Sequence, residues 1–253
     1  MRIDLNSDVG ESFGAYTIGH DAGLMTSITS ANVAAGFHGG DPTVLRNTIR
    51  LAKQHGVAVG AHPGFPDLIG FGRRDLHVTR REAEDFVLYQ IAAVAGVAAA
   101  EGVRLQHVKP HGALFTMAVK DAQLADAIAR AVAAFDKTLI LFGLPGSEIL
   151  KAGRASGLRV AAEVFADRGY EPDGQLASRR KPGAGIHDAA VVVARAVGMV
   201  KERRVVAMDG TVVPLETDTM CVHGDTPGSD ELAAKIRAGL EAAGVTVNAI
   251  GRA

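Results

Sequence analysis

The chain has 253 residues, 47% hydrophobic, 5% aromatic and 22% charged, with 30 glycines and no tryptophan. Its formal net charge of -1 excludes a global pull toward nucleic acid or an anionic membrane. A lone cysteine, Cys221, excludes an internal disulfide and a multi-cysteine zinc site.

The N-terminal Met-Arg-Ile-Asp-Leu-Asn is strand-like rather than a leader, and no apolar run is read as a membrane span of roughly 18 to 20 residues. A cytoplasmic location, with no membrane and no nucleic-acid partner, is the expectation.

A strand is expected over residues 2–6, with Asp4, Asn6 and Asp8 at alternate positions and so on one face. The stretch from Asn6 to Gly14 holds Asp8 and Glu11 close together. Paired carboxylates can bind a cation or act as acid and base, because proximity drives their pKa values apart. The same residue types also build turns.

A helix near 20–27 precedes a second strand near 28–33, which runs out at Asn32. Gly36-Phe37-His38-Gly39-Gly40-Asp41-Pro42 then leads into a helix over 42–55, with Asp41 as cap and Pro42 in the first turn. Amides at Gly36, Gly39 and Gly40 before a helix could hold an anion, although the P-loop pattern is missing. His38 reads as a ligand, a base or a loop residue.

The third strand, 57–61, ends at His62, a candidate metal ligand or general base. A Gly/Pro-rich loop over 63–78 follows, then a helix near 80–101 opened by the capping box Thr79-Arg-Arg-Glu82. On the fourth strand, 105–109, alternation aligns His107 and Lys109 with His111 beyond it. Pro110 excludes a helical zinc pair there. A lysine in a barrel mouth needs a carboxylate or a substrate oxyanion as partner.

Further strands are expected near 138–142, 159–164 and 219–223, with helices near 120–135, 146–156, 185–200 and 229–243. Glu163 sits on an otherwise apolar strand and needs a partner such as Lys109. Arg168 suits bidentate recognition of carboxylate or phosphate. A polar connection over 166–184 carries Arg179 and Lys181, and Asp209-Gly210 signals a small β-hairpin near 205–213. Cys221 reads as a small buried hydrophobe. Asp225 would orient His223 or cap the last helix.

Seven strand–helix units imply one (β/α) barrel of TIM-like type spanning 1–253. An open doubly wound sheet competes, but the glycine fingerprint after the first strand is absent. In a barrel Ile3 and Leu5 point outward, and Asp4 and Asn6 inward.

The blocks Asp4–Gly14, Ala31–Pro42, Gly60–Asp67, Val108–Leu114 and Glu163–Tyr170 resemble the LamB/YcsF family over about residues 2–247. Cys221-Val222-His223-Gly224-Asp225 also fits. That resemblance implies the A subunit of bacterial 5-oxoprolinase and a seven-stranded barrel of the deacetylase type. It further implies ATP-dependent opening of the 5-oxoproline lactam to glutamate, and partner subunits B and C. Candidate catalytic residues are then Asp8, Glu11, His62, Lys109, His111, Glu163, Arg168 and His223. Candidate ATP contacts are Gly36, Gly39, Gly40, Arg179 and Lys181. Asp8, His38 and His62 are the candidate ligands for Mg2+ or another divalent metal. Two alternatives are a metal-dependent deacetylase or amidase acting alone, and a non-catalytic lactam-binding subunit.

Overall fold

The structure, a computed structural model, describes residues 1–251. Alternation along β1 (Arg2–Val9) sets the plan of the molecule. Ile3, Leu5 and Val9 join the apolar layer under the helices, while Asp4, Asn6 and Asp8 bond to groups on other strands inside the ring.

β2 (Ser30–Ala34), β3 (Ala58–His62), β4 (Leu105–Val108), β5 (Ile140–Gly143) and β6 (Arg159–Val164) follow in parallel. β7 (Arg204–Val206) and β8 (Val212–Pro214) pair with each other, antiparallel, outside the ring. β9 (Thr219–Val222) then pairs with both β6 and β1. The register from Asp4↔Thr219 to Ser7↔Val222 closes a seven-stranded parallel barrel.

Eight helices are described: α1 (Asp21–Leu24), α2 (Pro42–His55), α3 (Arg80–Ala100), α4 (Gly112–Ala118), α5 (Ala122–Phe135), α6 (Glu148–Ala155), α7 (Ala189–Glu202) and α8 (Ser229–Ala242). Asp41 caps α2 by accepting from the amides of Thr43 and Val44. Thr79 and Glu82 form the reciprocal box on α3. α2 turns Leu45, Ile49 and Ala52 onto the sheet, each large side chain contributing about 1.5–3 kcal/mol by burial.

α3 departs from the sequence expectation. By length and composition it is apolar enough to cross a membrane. Its alanines raise the hydropathy without needing a core, and Val87, Ile91 and Val94 bury one face between neighbouring helices and strands.

β1 also runs three residues past its expected end, because Ser7, Asp8 and Val9 keep pairing with β2. The short α4, starting directly after His111, has no counterpart among the expected elements.

β10 (Thr246–Val247) extends the start of β1. The residues after it cross the floor of the barrel. Arg2 and Gln106 donate to the carbonyls of Ala249 and Ile250, and Ile250 packs on Ile140, Phe142 and Ala161. The opposite, carboxyl end of the strands stays open as the mouth.

Above the floor the interior is polar and saturated. Asp4 accepts from the hydroxyls of Thr29, Ser30 and Thr219. Asn32 donates to Asn6 at 2.7 Å and to Asp8 at 2.9 Å. Asn6 donates to Thr219 at 2.7 Å and to Glu163 at 3.0 Å. His107 donates from Nε2 to Asn32 at 2.8 Å and stacks on Phe142 with centroids 4.4 Å apart. Burial, then the charge of Lys109, pushes the His107 imidazole down to about 3, so it stays neutral. Residue 60 must be glycine here, since a Cβ would stand 2.2 Å from the His107 ring.

Candidate active site and metal centre

Four loops at the mouth bring Glu11, His38, His62 and His111 together. All four are at most 3% exposed, and their ligand atoms lie within 4.8 Å of one another. Glu11 follows β1, His38 follows β2, His62 ends β3 and His111 is the N-cap of α4. Gly72, at φ +62, lets the 63–78 loop press against the rings: a Cβ there would meet His38 at 2.7 Å and His111 at 2.8 Å.

The proton positions follow from the partners. His62 Nδ1 lies 2.7 Å from the carbonyl of Lys109. A carbonyl only accepts, so Nδ1 carries the hydrogen and Nε2 presents a lone pair. His111 Nε2 likewise donates to the carbonyl of Phe71 at 2.8 Å, leaving Nδ1 as a lone pair. These two lone pairs face each other at 2.9 Å. His38 stacks on His111 with centroids 3.7 Å apart, and neither of its nitrogens has a hydrogen-bond partner. Its Nε2 stands 3.3 Å from Glu11 Oε1, which is also unpartnered.

Buried unpaired acceptors pointing at one another are costly unless a cation sits among them. Burial, then the neighbouring imidazoles, holds His38 and His111 well below the ordinary imidazole range, in the neutral form that binds metals. Burial, then the charge of Asp8, pushes Glu11 well above its ordinary range, so a cation is what would let it ionise there. The cluster is compatible with a divalent metal.

Two of the expected ligands, His38 and His62, lie in this cluster with Glu11 and His111, both expected among the catalytic groups. Asp8, the third expected ligand, lies beside it: its Oδ1 accepts from Lys109 at 2.6 Å and from Asn32 at 2.9 Å and stands 3.3 Å from His62 Nε2.

Lys109 and its acids lie just below the cluster. Its Nζ is 2.6 Å from Asp8, 3.1 Å from Cys221 Sγ and 3.4 Å from Glu163. Burial alone would lower the ammonium, but Asp8, Cys221 and Glu163 outweigh it and keep Lys109 charged. Burial would raise Asp8, but His62 and Lys109 together hold it well below the usual carboxylate range. Asp8 Oδ2 has no hydrogen-bond partner among the described residues. Glu163 is raised to about 7 by burial, against the pull of Lys109, and its Oε2 is unpartnered. Burial pushes the Cys221 thiol up, so it is no thiolate nucleophile.

On the other side of the mouth, His223 donates from Nδ1 to Asp167 at 2.6 Å and stacks on Phe165. Asp225 neither orients His223 nor caps α8: it pairs with Arg73 at 2.7 Å, and Gly228 is the N-cap of α8. The sequence marks Asp167, with Glu163, as a polar residue beyond the sixth strand, but gives it no place in the catalytic or metal set. The Ser7↔Val222 register continues upward, so Asp8 and His223 top adjacent strands.

Arg168 donates to the carbonyl of Ala177 at 2.7 Å and lines a cleft beside His223 together with Arg179. The expected ATP contacts are dispersed. Gly36 donates to the carbonyl of Gly39, and Gly40 to that of Glu11. Gly39 packs against the Glu11 backbone. Asp41 already occupies the α2 N-terminus. Lys181 pairs with Glu171 in the exposed 166–184 connection. Arg179, the fifth, lies apart from the glycines in the cleft with Arg168.

A profile of the LamB/YcsF family matches residues 3–253. A protein of Tolumonas auensis, named as the A subunit of 5-oxoprolinase, is 53% identical over 249 residues, 98% of this chain and 99% of that protein. One of the same name from Thermococcus onnurineus is 53% identical over 251 residues, 99% of this chain and 98% of that protein. Among solved structures, a lactam utilization protein from Thermus thermophilus superposes with a TM-score of 0.94 at 50% identity, covering 99% of this chain and 100% of that one.

Proposed function

The chain belongs to the LamB/YcsF family, and on that premise we propose that it is the A subunit of a 5-oxoprolinase, opening the lactam of 5-oxo-L-proline to L-glutamate. One observation carries this reading: buried lone pairs of three imidazoles and a carboxylate converge beside a His–Asp pair in a barrel mouth. Imidazoles with one carboxylate suit a first-row transition metal better than Mg2+, which prefers oxygen ligands.

A five-membered lactam is an unreactive amide, so its opening needs an activated water, a stabilised oxyanion and a proton for the leaving nitrogen. A metal at Glu11, His38, His62 and His111 would polarise the carbonyl and lower the pKa of a bound water. Asp8, held anionic by the Lys109 ammonium, offers its free Oδ2 to the water proton. Lys109 holds Asp8 in place and puts positive charge where the oxyanion forms. Glu163 compensates Lys109 from below. Asp167 accepts from His223 Nδ1 and would stabilise the imidazolium, the form from which Nε2 gives its proton to the leaving nitrogen and returns to neutral.

ATP enters on the partner subunits B and C in this scheme, since the amides of Gly36 and Gly40 already donate to backbone carbonyls and Asp41 caps α2. A cytoplasmic assembly fits such a nucleotide-dependent reaction. A second reading, a metal-dependent amidase acting without partners, draws on the cluster and the His–Asp pair being complete in one chain.

Reconstitution with subunits B and C tests the proposal by glutamate release and ATP consumption. The chain carrying Lys109→Met should release no glutamate while remaining folded. Wild-type turnover by that variant would reject the mechanism, and ATP-independent turnover by the chain alone would favour the second reading.

A further inference from the structure

The cleft beside the mouth has a volume of about 270 Å³ and is lined by Arg168, Arg179, His223 and the start of α8. It is lined for a ligand that both accepts and donates hydrogen bonds. Arg168 is only 7% exposed, yet its buried Nε has no partner. Arg179 makes no ion pair or hydrogen bond among the described residues, although it lies close enough for Arg168, Asp167 and Asp225 to feel its charge. Gly228 gives α8 no side-chain cap, and the nearby Asp230 is drawn to His20 at 2.7 Å. Against these donors stands one buried unpartnered acceptor, Asp167 Oδ1. Its other oxygen holds His223, the proton donor to the leaving nitrogen in the function proposed above.

We propose that Arg168 and Arg179 bind a carboxylate attached one carbon away from the scissile amide nitrogen. This assignment rests on the ring-opening reading and deepens it. The nitrogen must lie at His223 to be protonated, and His223, Arg168 and Arg179 line the same cleft, so a carboxylate one carbon from that nitrogen is within the cleft that the arginines share. The two guanidiniums select α-carboxylated lactams over plain ones, because an unsubstituted lactam leaves both cations without an anion. Asp167 acts as a positioning residue for His223.

Calorimetry of the full chain with 5-oxoproline and with 2-pyrrolidinone, the same ring lacking the carboxylate, tests this directly. The expected result is saturable binding of 5-oxoproline, at least tenfold tighter than 2-pyrrolidinone. Arg179→Ala removes an exposed side chain, so the fold is not at risk. It should weaken 5-oxoproline about tenfold, or about 1.4 kcal/mol, and leave 2-pyrrolidinone unchanged. Arg168→Lys should weaken it similarly, because an ammonium cannot reproduce the fork. Glu11→Gln should retain the carboxylate preference, since it touches only the metal cluster. That variant separates the two proposals: a preference that survives without any turnover supports the carboxylate site even if the ring-opening reading fails. Equal binding of the two lactams, unchanged 5-oxoproline affinity in Arg179→Ala, or no saturable 5-oxoproline binding overturns the inference. So does an Arg179→Ala loss confined to added inorganic phosphate.

Discussion

Two regions of this barrel bury polar groups equally well and use them differently. In the lower interior Asp4, Asn6, Asn32 and His107 are all at most 1% exposed, and their hydrogen bonds reach one another and the hydroxyls of Ser30 and Thr219. At the mouth Glu11, His38, His62 and His111 are buried to the same degree, but their lone pairs confront one another or go unpartnered. Burial alone therefore does not mark function in this molecule. What marks it is whether each polar group's capacity is met from within the chain.

The largest test of that contrast is Glu11→Gln. It preserves shape, removes a ligand charge, and should cost at least about 10³-fold in turnover. Thermal stability should stay within about 1 kcal/mol, because Glu11 gains nothing from its neighbours when no cation is bound. Metal content after dialysis should fall in parallel. Near-normal turnover with undiminished metal would dissolve the distinction between the two regions.

Asp4→Ala is the mirror experiment in the saturated layer. Three hydroxyls lose their common acceptor, and urea unfolding should report a loss of about 3 kcal/mol. Metal affinity of the surviving folded protein should hold. A stability change under about 0.5 kcal/mol would mean that the lower layer is not structural in the sense argued.

Glu163 stands between the regions and sharpens the line by pH. Its folded value of about 7 lies above the ordinary 4.5. Protons are then bound more tightly in the folded state, so this group's contribution is fully present below pH 4.5 and is lost as pH rises through about 7. Glu163→Gln should remove that loss. The stability of the wild type relative to the variant should fall by about 3 kcal/mol between pH 4 and pH 8. A flat difference would place Glu163 with the ionised, paired carboxylates.

The smallest effect belongs to Lys181→Ala. Its partner Glu171 is in an exposed pair, so stability should change by less than about 0.5 kcal/mol. Turnover should not change, and a tenfold loss would return Lys181 to the site.

Much of this architecture is legible in the order of residues. The 2-residue period puts Asp4, Asn6 and Asp8 inside and Ile3 and Leu5 outside, because the pleat leaves no other choice. Alternating elements give the barrel, and Asp41 and Thr79 announce their helices. The ligand set is less legible. Alternation places a residue on a face but says nothing about which acceptor already has a donor. Asp8 is told from Glu11 only by Lys109 and Asn32 filling its Oδ1. The Asp167–His223 pair spans 56 residues, a distance that no local pattern bridges. The glycines at 36, 39 and 40 carry the signal of an anion loop, but the amides of Gly36 and Gly40 satisfy the carbonyls of Gly39 and Glu11.

The seam between β1 and β9 joins residues 215 apart. The four residues proposed to hold the metal all come before residue 112, carried by consecutive strands that can assemble as neighbours. The His–Asp pair arrives from the far side of that seam. In the proposed mechanism the groups that would hold a cation and the imidazole that would deliver a proton thus meet across the seam between the first strand and the last, so loosening that seam should reduce turnover more than metal affinity.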